Sequence, residues 1–418
     1  MKIKVTDKSY KDVMAIPQKK HVYPTRQSAI LRHLISFLAG GELKATNFVC
    51  DFVGMERLKD DEPALFLMNH SSFTDLMITG RLLKNREYHI VITNDGIVGK
   101  EWLMRKVGCI PTRKFITDTV LVKDMLYTVN NLKSSILMFP EASYSFDGTE
   151  TELPDSMGKC IKMLKVPVVM IRTKGAFLRD PLYNNLQKRK ADVSANVSYI
   201  LSPEDIENKS VDEINEILKI NFKYDHFKEQ AEAGVIIDEP FRADGLERVL
   251  YKCPKCLSEG KMKGKGIKIT CSECGAAYEL TRTGNLSCDN GDTEFSFVSD
   301  WYKWERECVR KEITDGTYNL DTETDIMMLV DSKSMYRIGA GRLNHSAEGF
   351  SLTGAEGDLS FSVKPKSTYS LYADYFWYEI GDVIAIGDSR AQYYCFPREQ
   401  VPVAKVRLAT EELYKLNR

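Results

Sequence analysis

The chain has 418 residues, of which 43% are hydrophobic and 28% charged, and its 58 Lys and Arg nearly balance 59 Asp and Glu. This composition excludes a disordered or fibrous protein, and the formal net charge of −1 excludes nucleic-acid binding through bulk positive charge. One ordinary core does not accommodate this length, so we predict two or three domains.

Residues 1–45 are predicted to form a basic and amphipathic leading segment. The first 33 residues contain eight Lys or Arg against two Asp. Residues 28–39 then place Ile30, Leu34 and Leu38 on one face of a helix, which a glycine pair ends. Such a helix packs either on the protein's own core or on an anionic membrane surface, and the sequence leaves both open.

The sequence carries no sign of a membrane span or of secretion. Its start, Met1-Lys2-Ile3-Lys4, lacks the apolar core of a signal peptide, and no apolar run approaches the roughly 18–20 residues of a spanning helix. Six of the ten cysteines lie scattered, mostly among apolar neighbours, which is typical of free thiols in a reducing compartment. We therefore predict a cytoplasmic protein, peripheral on the cytosolic face of a membrane.

Residues 46–245 alternate short apolar runs with helical patterns, which predicts an α/β domain with a mostly parallel, buried sheet. The predicted strands are Ala64–Met68, His89–Thr93, Ile136–Phe139, Val166–Arg172 and Val193–Leu201. The predicted helices are 74–84, 118–133 and 156–165, and a polar helical region over about 203–231 closes the domain.

His70 and Asp75 form a candidate catalytic pair within this domain. The first of those strands brings His70 to its carboxyl end, where α/β proteins build their sites. The spacing of Ser72 and Asp75 predicts a capping box and a helix from about residue 73. Asp75 can then accept a hydrogen bond from one imidazole nitrogen and raise the basicity of the other, so that the pair takes a proton from a hydroxyl. A helix cap beside an ordinary surface histidine is the alternative.

The pattern His-x₄-Asp after a buried strand resembles motif I of the glycerolipid acyltransferase family, which includes lysophosphatidic acid acyltransferases. Three further blocks follow in the family's order over about 100 residues. Gly108-Cys-Ile-Pro-Thr-Arg113 is similar to motif II, Phe139-Pro-Glu-Ala-Ser-Tyr-Ser145 to motif III, and Val166-Pro-Val-Val169 to motif IV. The resemblance covers roughly residues 60–200, under half of the chain, and it implies that His70, oriented by Asp75, is the catalytic base.

The resemblance also implies a reaction and its binding residues. A fatty acyl group would move from acyl-CoA or acyl-carrier protein to a hydroxyl of a lysophospholipid such as 1-acyl-sn-glycerol-3-phosphate, in phospholipid biosynthesis and without a covalent enzyme intermediate. Backbone amides near the His70 corner are expected to stabilise the oxyanion. The residues expected at the substrate are Asn69, Arg113, Glu141, Ser143, Tyr144 and Lys159.

Motif III departs from the family at Tyr144, where the family has an arginine. A guanidinium there makes bidentate contacts with the acceptor's phosphate, whereas a tyrosine offers one neutral donor. Arg113 remains, and Lys159, Arg172 or Lys174 could compensate. Three interpretations stay open: the phosphate is held differently, the acceptor is another lipid, or the chain is a non-catalytic membrane- or protein-binding adaptor with a degenerate acyltransferase domain.

Residues 246–285 contain two Cys-x₂-Cys pairs separated by fourteen residues, a spacing that predicts a zinc ribbon. The four predicted ligands are Cys253, Cys256, Cys271 and Cys274. Four protein thiolates leave no position for water, so the Zn²⁺ should be structural. A redox pair is the alternative for the cysteines. The lysine-rich loop between the pairs leaves a nucleic-acid-binding ribbon open, but it suits an acidic carrier protein or anionic lipid equally well. With the acyltransferase motifs upstream, nucleic acid is not an expected partner.

The remainder is predicted to be a linker helix and a small β domain. Residues 286–324 include the helical run Ser299–Cys308, and residues 325–418 contain eight short strand patterns, among them Trp377–Ile380, before a terminal helix Val403–Lys415. This order predicts an antiparallel sandwich or barrel capped by one helix, which is the outline of a pleckstrin-homology-like domain.

Overall fold

The computed structural model describes residues 2–116, 118–288, 291 and 293–418. The leading segment packs against the rest of the chain instead of forming a separate basic unit. Strand β1 (Val5–Asp7) pairs in parallel with residues 335–337 of the C-terminal sheet, and helix α1 (Tyr10–Met14) buries Val13 completely. Residues 1–45 thus do not form the single amphipathic segment that we predicted, because their first part belongs to a distant sheet.

Helix α2 (Ala29–Ala45) begins at Ser28, whose side chain accepts from Leu31 N, and it continues through the glycine pair. Among the described residues, no neighbouring group lies within 4 Å of a Cβ atom added at Gly40 or Gly41. Neither a close contact nor a strained backbone therefore ends the helix at this pair. The helix buries its small residues against helix α3 (Thr74–Leu82), where Gly80 makes room for Ile35. Its larger apolar residues Ile30, Leu34, Phe37 and Leu38 are exposed.

The central domain is an α/β structure around a seven-stranded sheet, as predicted. Its strands are β2 (Val49–Val53), β3 (Leu65–Met68), β4 (Tyr88–Thr93), β5 (Cys109–Thr112), β6 (Ser135–Met138), β7 (Val168–Lys174) and β8 (Ser194–Leu201). The further helices are α4 (Glu101–Val107), α5 (Thr119–Asn130), α6 (Ser156–Leu164), α7 (Ala176–Arg179), α8 (Pro203–Asn208), α9 (Val211–Phe222) and α10 (His226–Glu232). The strand order is β2-β8-β7-β3-β6-β4-β5, and only β7 and β8 pair antiparallel.

Strand β3 lies in the middle of this sheet and is buried along its whole length. Leu65 and Leu67 enter the core on one face of the sheet, while Phe66 and Met68 enter the core on the other. A strand with apolar side chains on both faces is typical of a parallel sheet covered by helices. It therefore holds the following residues, including His70, at a well-packed edge of the domain.

A second sheet forms the ribbon region. Its antiparallel strands are β9 (Met262–Lys265), β10 (Lys268–Cys271), β11 (Ala277–Leu280) and β12 (Leu286–Ser287). Its apolar residues share one continuous core with the central and C-terminal domains, since Phe177, Ile269 and Trp301 belong to the same cluster. The ribbon is therefore packed between its neighbours.

Helix α11 (Val298–Thr314) and a third, antiparallel sheet follow. The strands are β13 (Leu320–Leu329), β14 (Met335–Ser346), β15 (Gly349–Gly354), β16 (Leu359–Val363), β17 (Tyr372–Trp377), β18 (Gly381–Gly387) and β19 (Gln392–Pro397), before helix α12 (Val403–Leu416). Their order is β16-β15-β14-β13-β19-β18-β17, with β1 added to β14. The pleckstrin-homology-like assignment stays a prediction.

The C-terminal region differs from the prediction in two details. Its sheet begins at Leu320 rather than at residue 325, and one predicted strand is absent. Helix α11, in the segment that we predicted as a linker helix, packs on α12. The predicted strand Trp377–Ile380 is mostly the turn of the β17–β18 hairpin, in which Phe376, Tyr378 and Glu379 have positive φ. The apolar run suggested a strand at the place where the chain reverses. Nothing in it signalled a turn, because aromatic residues at positive φ are rare. Among the described residues, no helix combines the length and hydrophobicity that crossing a membrane requires.

Candidate active site

His70 lies in the corner between β3 and α3, held there by Asp75. Asp75 Oδ2 is 3.1 Å from His70 Nδ1 and accepts from the backbone amides of Ser71 and Ser72, at 2.7 and 3.0 Å. The predicted cap is present in a modified form, because Ser72 Oγ accepts from Thr74 N. A buried carboxylate oxygen facing Nδ1 makes Nδ1 the protonated nitrogen and leaves Nε2 as the basic one.

Two aromatic rings flank the imidazole. The ring centroids of Phe139 and Tyr144 each lie 4.2 Å from that of His70. Burial lowers the pKa of His70, and the hydrogen bond and charge of Asp75 oppose this only in part. The imidazole is therefore neutral near pH 7, as a general base must be. Tyr144 stands at the position of the family's arginine, and in this chain it packs against His70.

His70 opens onto a cavity of about 1530 Å³ between the central and C-terminal domains. Four of the six predicted substrate residues line it, namely Arg113, Ser143, Tyr144 and Lys159. Apolar side chains from the α5 and α6 region, including Leu121, Met125 and Cys160, line a further part of its wall. The cavity is larger than the roughly 300–1,000 Å³ of ordinary small-molecule sites, so it has room for a long apolar chain.

The other two predicted substrate residues, Asn69 and Glu141, are fully buried and point into the scaffold. Asn69 Oδ1 accepts from Thr173 N at 2.8 Å. Glu141 accepts from His70 N at 2.7 Å, Thr151 N at 2.8 Å and the hydroxyl of Tyr224 at 2.9 Å, and burial raises its pKa to about 7. Both residues fix the loops around His70, and neither lines the cavity.

The expectation for the oxyanion donors also changes. The amides of His70, Ser71 and Ser72 already donate to Glu141 and Asp75. By contrast, Ser143 Oγ is buried at the cavity wall and has no hydrogen-bond partner among the described residues. A buried hydroxyl without a partner has a donor free for a developing negative charge.

Sequence reasoning missed Lys114. The charge of Lys114 lowers the pKa of His70, and the residue lines the cavity. Of the three residues expected to compensate, Lys159 lines the cavity, whereas Arg172 pairs with Glu229 and neither Arg172 nor Lys174 lines it. The one sequence signal for Lys114 is its position directly after Arg113.

The C-terminal domain also supplies cavity residues that no sequence motif marked. They are Tyr369, Tyr372, Asp374, Phe376 and Tyr378, with others from the same hairpin and from α12. Two hydrogen bonds tie this hairpin to the central domain, from Tyr372 Oη and Trp377 Nε1 to Asp95 Oδ2, at 3.1 and 3.3 Å. The cavity is thus completed by two domains.

Comparison with known proteins agrees with the motifs. Residues 49–174 match the model of the acyltransferase family. Among solved structures, the crystal structure of the 1-acyl-sn-glycerophosphate (LPA) acyltransferase PlsC from Thermotoga maritima is similar, with 14% identity and a TM-score of 0.36, covering 46% of this chain and 81% of that one. No curated protein sequence matches the chain.

The four ribbon cysteines form a second site, which could bind a metal ion. All four sulfur atoms lie within 4.8 Å of one another, and the pairs Cys253–Cys274 and Cys256–Cys271 are 3.7 Å apart. A tetrahedron with Zn–S bonds of about 2.3 Å has edges of about 3.8 Å, so the spacing fits Zn²⁺. Each knuckle closes with a backbone hydrogen bond, from Leu257 N to Cys253 O and from Gly275 N to Cys271 O.

Replacing Asp75 by Asn is expected to lower activity less than removing His70, because the base stays while its tautomer and basicity change. The acid limb of the kcat/KM profile should also move to lower pH. In the wild type this limb lies below about 6.5, the ordinary imidazole pKa, since burial lowers the pKa of His70. Asp75 raises that pKa, so its loss lowers it further. A pH–rate series on both proteins measures the shift; an unmoved limb would contradict the pairing.

Proposed function

We propose that this protein is a glycerolipid O-acyltransferase that moves a fatty acyl group from acyl-CoA or acyl-carrier protein to a hydroxyl of a lysophospholipid such as 1-acyl-sn-glycerol-3-phosphate. The observation that carries this proposal is the His70–Asp75 pair, 3.1 Å apart at the wall of a cavity with an apolar extension. The four motifs in order and the match to the acyltransferase family support it.

In the proposed reaction His70 Nε2 takes the proton of the acceptor's hydroxyl while that oxygen attacks the thioester carbonyl carbon. The carbonyl oxygen becomes an oxyanion, which accepts a hydrogen bond from Ser143 Oγ. Collapse of the tetrahedral intermediate breaks the carbon–sulfur bond, and the thiolate leaves and takes the proton from His70. Asp75 stabilises the imidazolium throughout the reaction.

The test is the release of free thiol when the purified protein meets a panel of lysolipids with acyl-CoA and with acyl-carrier protein. We expect turnover with at least one acceptor and one donor. The adaptor hypothesis draws its support from Tyr144, which packs on His70 rather than offering a guanidinium to the cavity. Absence of turnover with every acceptor and both donors would favour that hypothesis.

We also propose that the protein binds anionic membranes peripherally through α2, on the cytosolic face. Ile30 and Phe37 are 81% and 79% exposed, and Leu34 and Leu38 extend the same apolar surface. Exposed Lys19 and Lys20 precede the helix. Exposed apolar side chains beside cations are the combination that anionic lipid attracts.

Replacing Ile30 and Phe37 together by Ser is expected to weaken binding to anionic vesicles at least about tenfold, because each large apolar side chain contributes about 1.5–3 kcal/mol when buried. The melting temperature should not change, since both residues are exposed. Co-sedimentation with vesicles measures the effect. Ile220→Ser is the control, as Ile220 is 72% exposed on α9. Equal binding of the double variant and the wild type would contradict the assignment of this surface.

For the ribbon we propose one structural Zn²⁺ held by its four cysteines. The metal would cross-link the two knuckles and take no part in the chemistry, because four thiolates fill its coordination sphere. Its role would be to fix the region between the acyltransferase domain and the C-terminal sheet.

A further inference from the structure

Lys114 occupies an unusual position at the junction of two domains. It follows β5 of the central domain, and its Nζ lies 3.9 Å from the centroid of the Tyr372 ring on β17. The carboxylates of Asp95 and Asp374 act on its charge from either domain, and burial lowers its pKa. Among the described residues, however, no carboxylate oxygen lies within 4 Å of Nζ, and no hydrogen bond from it is seen. An ammonium with three N–H donors and only a ring contact has donors free for a ligand.

The acidic partners are arranged to hold such a cation without neutralising it. Asp95 is buried and already accepts from Tyr372 and Trp377 through Oδ2, while its Oδ1 has no partner among the described atoms. Asp374 accepts from Tyr375 N, and burial raises its pKa to about 7. A strong ion pair would fix the ammonium in place and occupy its donors. With these contacts instead, Lys114 remains part of the cavity wall.

In the same cavity Tyr144 replaces the motif III arginine that a phosphate-bearing acceptor would otherwise meet. Tyr144 packs on His70, and the nearest partner of the Arg113 guanidinium is Asp118, with 3.9 Å between Nη1 and Oδ2. The charge of Lys114 reaches His70. A phosphate held by Lys114 would therefore place the rest of the acceptor close to the base.

We propose that Lys114, framed by Tyr372 and Asp374 of the C-terminal domain, binds the phosphate of the acceptor, so that the C-terminal β domain is part of the acceptor site. This inference rests on the proposed acyltransferase function and specifies its headgroup subsite. It assigns a catalytic-site role to a domain that lies outside the acyltransferase match.

The first experiment compares 1-oleoyl-sn-glycerol 3-phosphate with 1-oleoylglycerol as acceptors for the wild type, Lys114→Met and Lys114→Arg. Loss of a charged hydrogen-bond donor should raise KM for the phosphate-bearing acceptor about 10- to 100-fold. KM for the neutral acceptor should change little, and Lys114→Arg should keep most of the preference. Lys311→Met, on the exposed face of α11, is the matched control. Unchanged KM and preference in Lys114→Met would overturn the inference.

A second pair of variants tests the C-terminal domain. Tyr372→Leu removes the ring beneath the ammonium and should raise the same KM about threefold or more, whereas Tyr372→Phe keeps the ring and should have a smaller effect. Both variants also lose the hydroxyl that bonds Asp95, so the comparison isolates the ring. Equal KM values for the two variants would exclude Tyr372 from the subsite.

A direct binding measurement separates this inference from the proposed function. Titration calorimetry with sn-glycerol 3-phosphate should show binding to the wild type that Lys114→Met weakens. If the wild type binds this probe but transfers no acyl group to any acceptor, the function fails and the phosphate subsite stands. If the wild type transfers acyl groups but the variant binds the probe equally well, the subsite fails alone. Absence of probe binding to the wild type would also overturn the subsite.

Discussion

Replacing His70 by alanine should lower kcat/KM for acyl transfer by at least about 100-fold, because a positioned general base contributes about 10²–10⁴ in rate. His70 is the only imidazole on the described cavity wall, and Asp75 Oδ2 lies 3.1 Å from its Nδ1. Release of free thiol from acyl-CoA, followed with the best acceptor of the panel, measures the loss. KM should change less than kcat, since the imidazole acts mainly on the proton of the attacking hydroxyl.

A matched control shows that the loss comes from the chemistry. His21 is a partly exposed histidine whose Nε2 lies 2.7 Å from Asp124 Oδ1, and it is not on the cavity wall. His21→Ala should keep kcat/KM within about threefold, because His21 does not reach the cavity. Thermal unfolding of both variants confirms the fold. Wild-type turnover in His70→Ala would refute the assigned base.

Removing the metal from the ribbon is expected to destabilise the whole chain and not only the ribbon. Cys253 and Cys271 are buried in the same core cluster as Phe177 of the central domain and Trp301 of α11. Structural Zn²⁺ contributes an apparent 10–16 kcal/mol or so in isolated zinc-finger peptides. Even part of this should lower the melting temperature by about 10 °C or more. Metal analysis of protein prepared without chelator should find about one zinc per chain.

The cysteine variants sharpen this test. Cys253→Ser should lose the zinc and the stability together, whereas Cys50→Ser, a change on the edge strand β2, should keep both. Acyltransferase activity, assayed after heating to a series of temperatures, should be lost over the same range as the calorimetric unfolding transition, because the core is continuous. A Cys253→Ser protein with wild-type melting temperature, or zinc-free protein that is equally stable, would contradict the structural role.

Much of the candidate site depends on residues close together in the sequence, and these parts were predictable. His70 and Asp75 are five residues apart across one strand-to-helix turn, so their meeting depends on local geometry alone. The four cysteines lie in two tight knuckles, each of which closes on itself through one backbone bond. The central sheet was predictable for a similar reason, because a strand buried on both faces must be apolar throughout.

The features that the sequence did not reveal concern side-chain direction and contacts between distant segments. Asn69 and Glu141 belong to the expected motifs, yet they bond to Thr173 and to the loops beside His70. No local pattern reports whether a polar side chain points to the scaffold or to a cavity. The sequence also did not show that the apolar face of α2 is exposed, because an apolar stripe has the same pattern whether it packs on the core or faces solvent.

The sequence by itself determined the candidate base His70, its partner Asp75 and the four-cysteine site, because each is built from neighbours in the chain. Only the tertiary structure decided what surrounds the base. Lys114 and Tyr372 are more than 250 residues apart in the sequence, and β1 joins a sheet more than 300 residues away. Long-range packing of this kind is set by the docking of whole domains, and a single sequence carries no local signal for it.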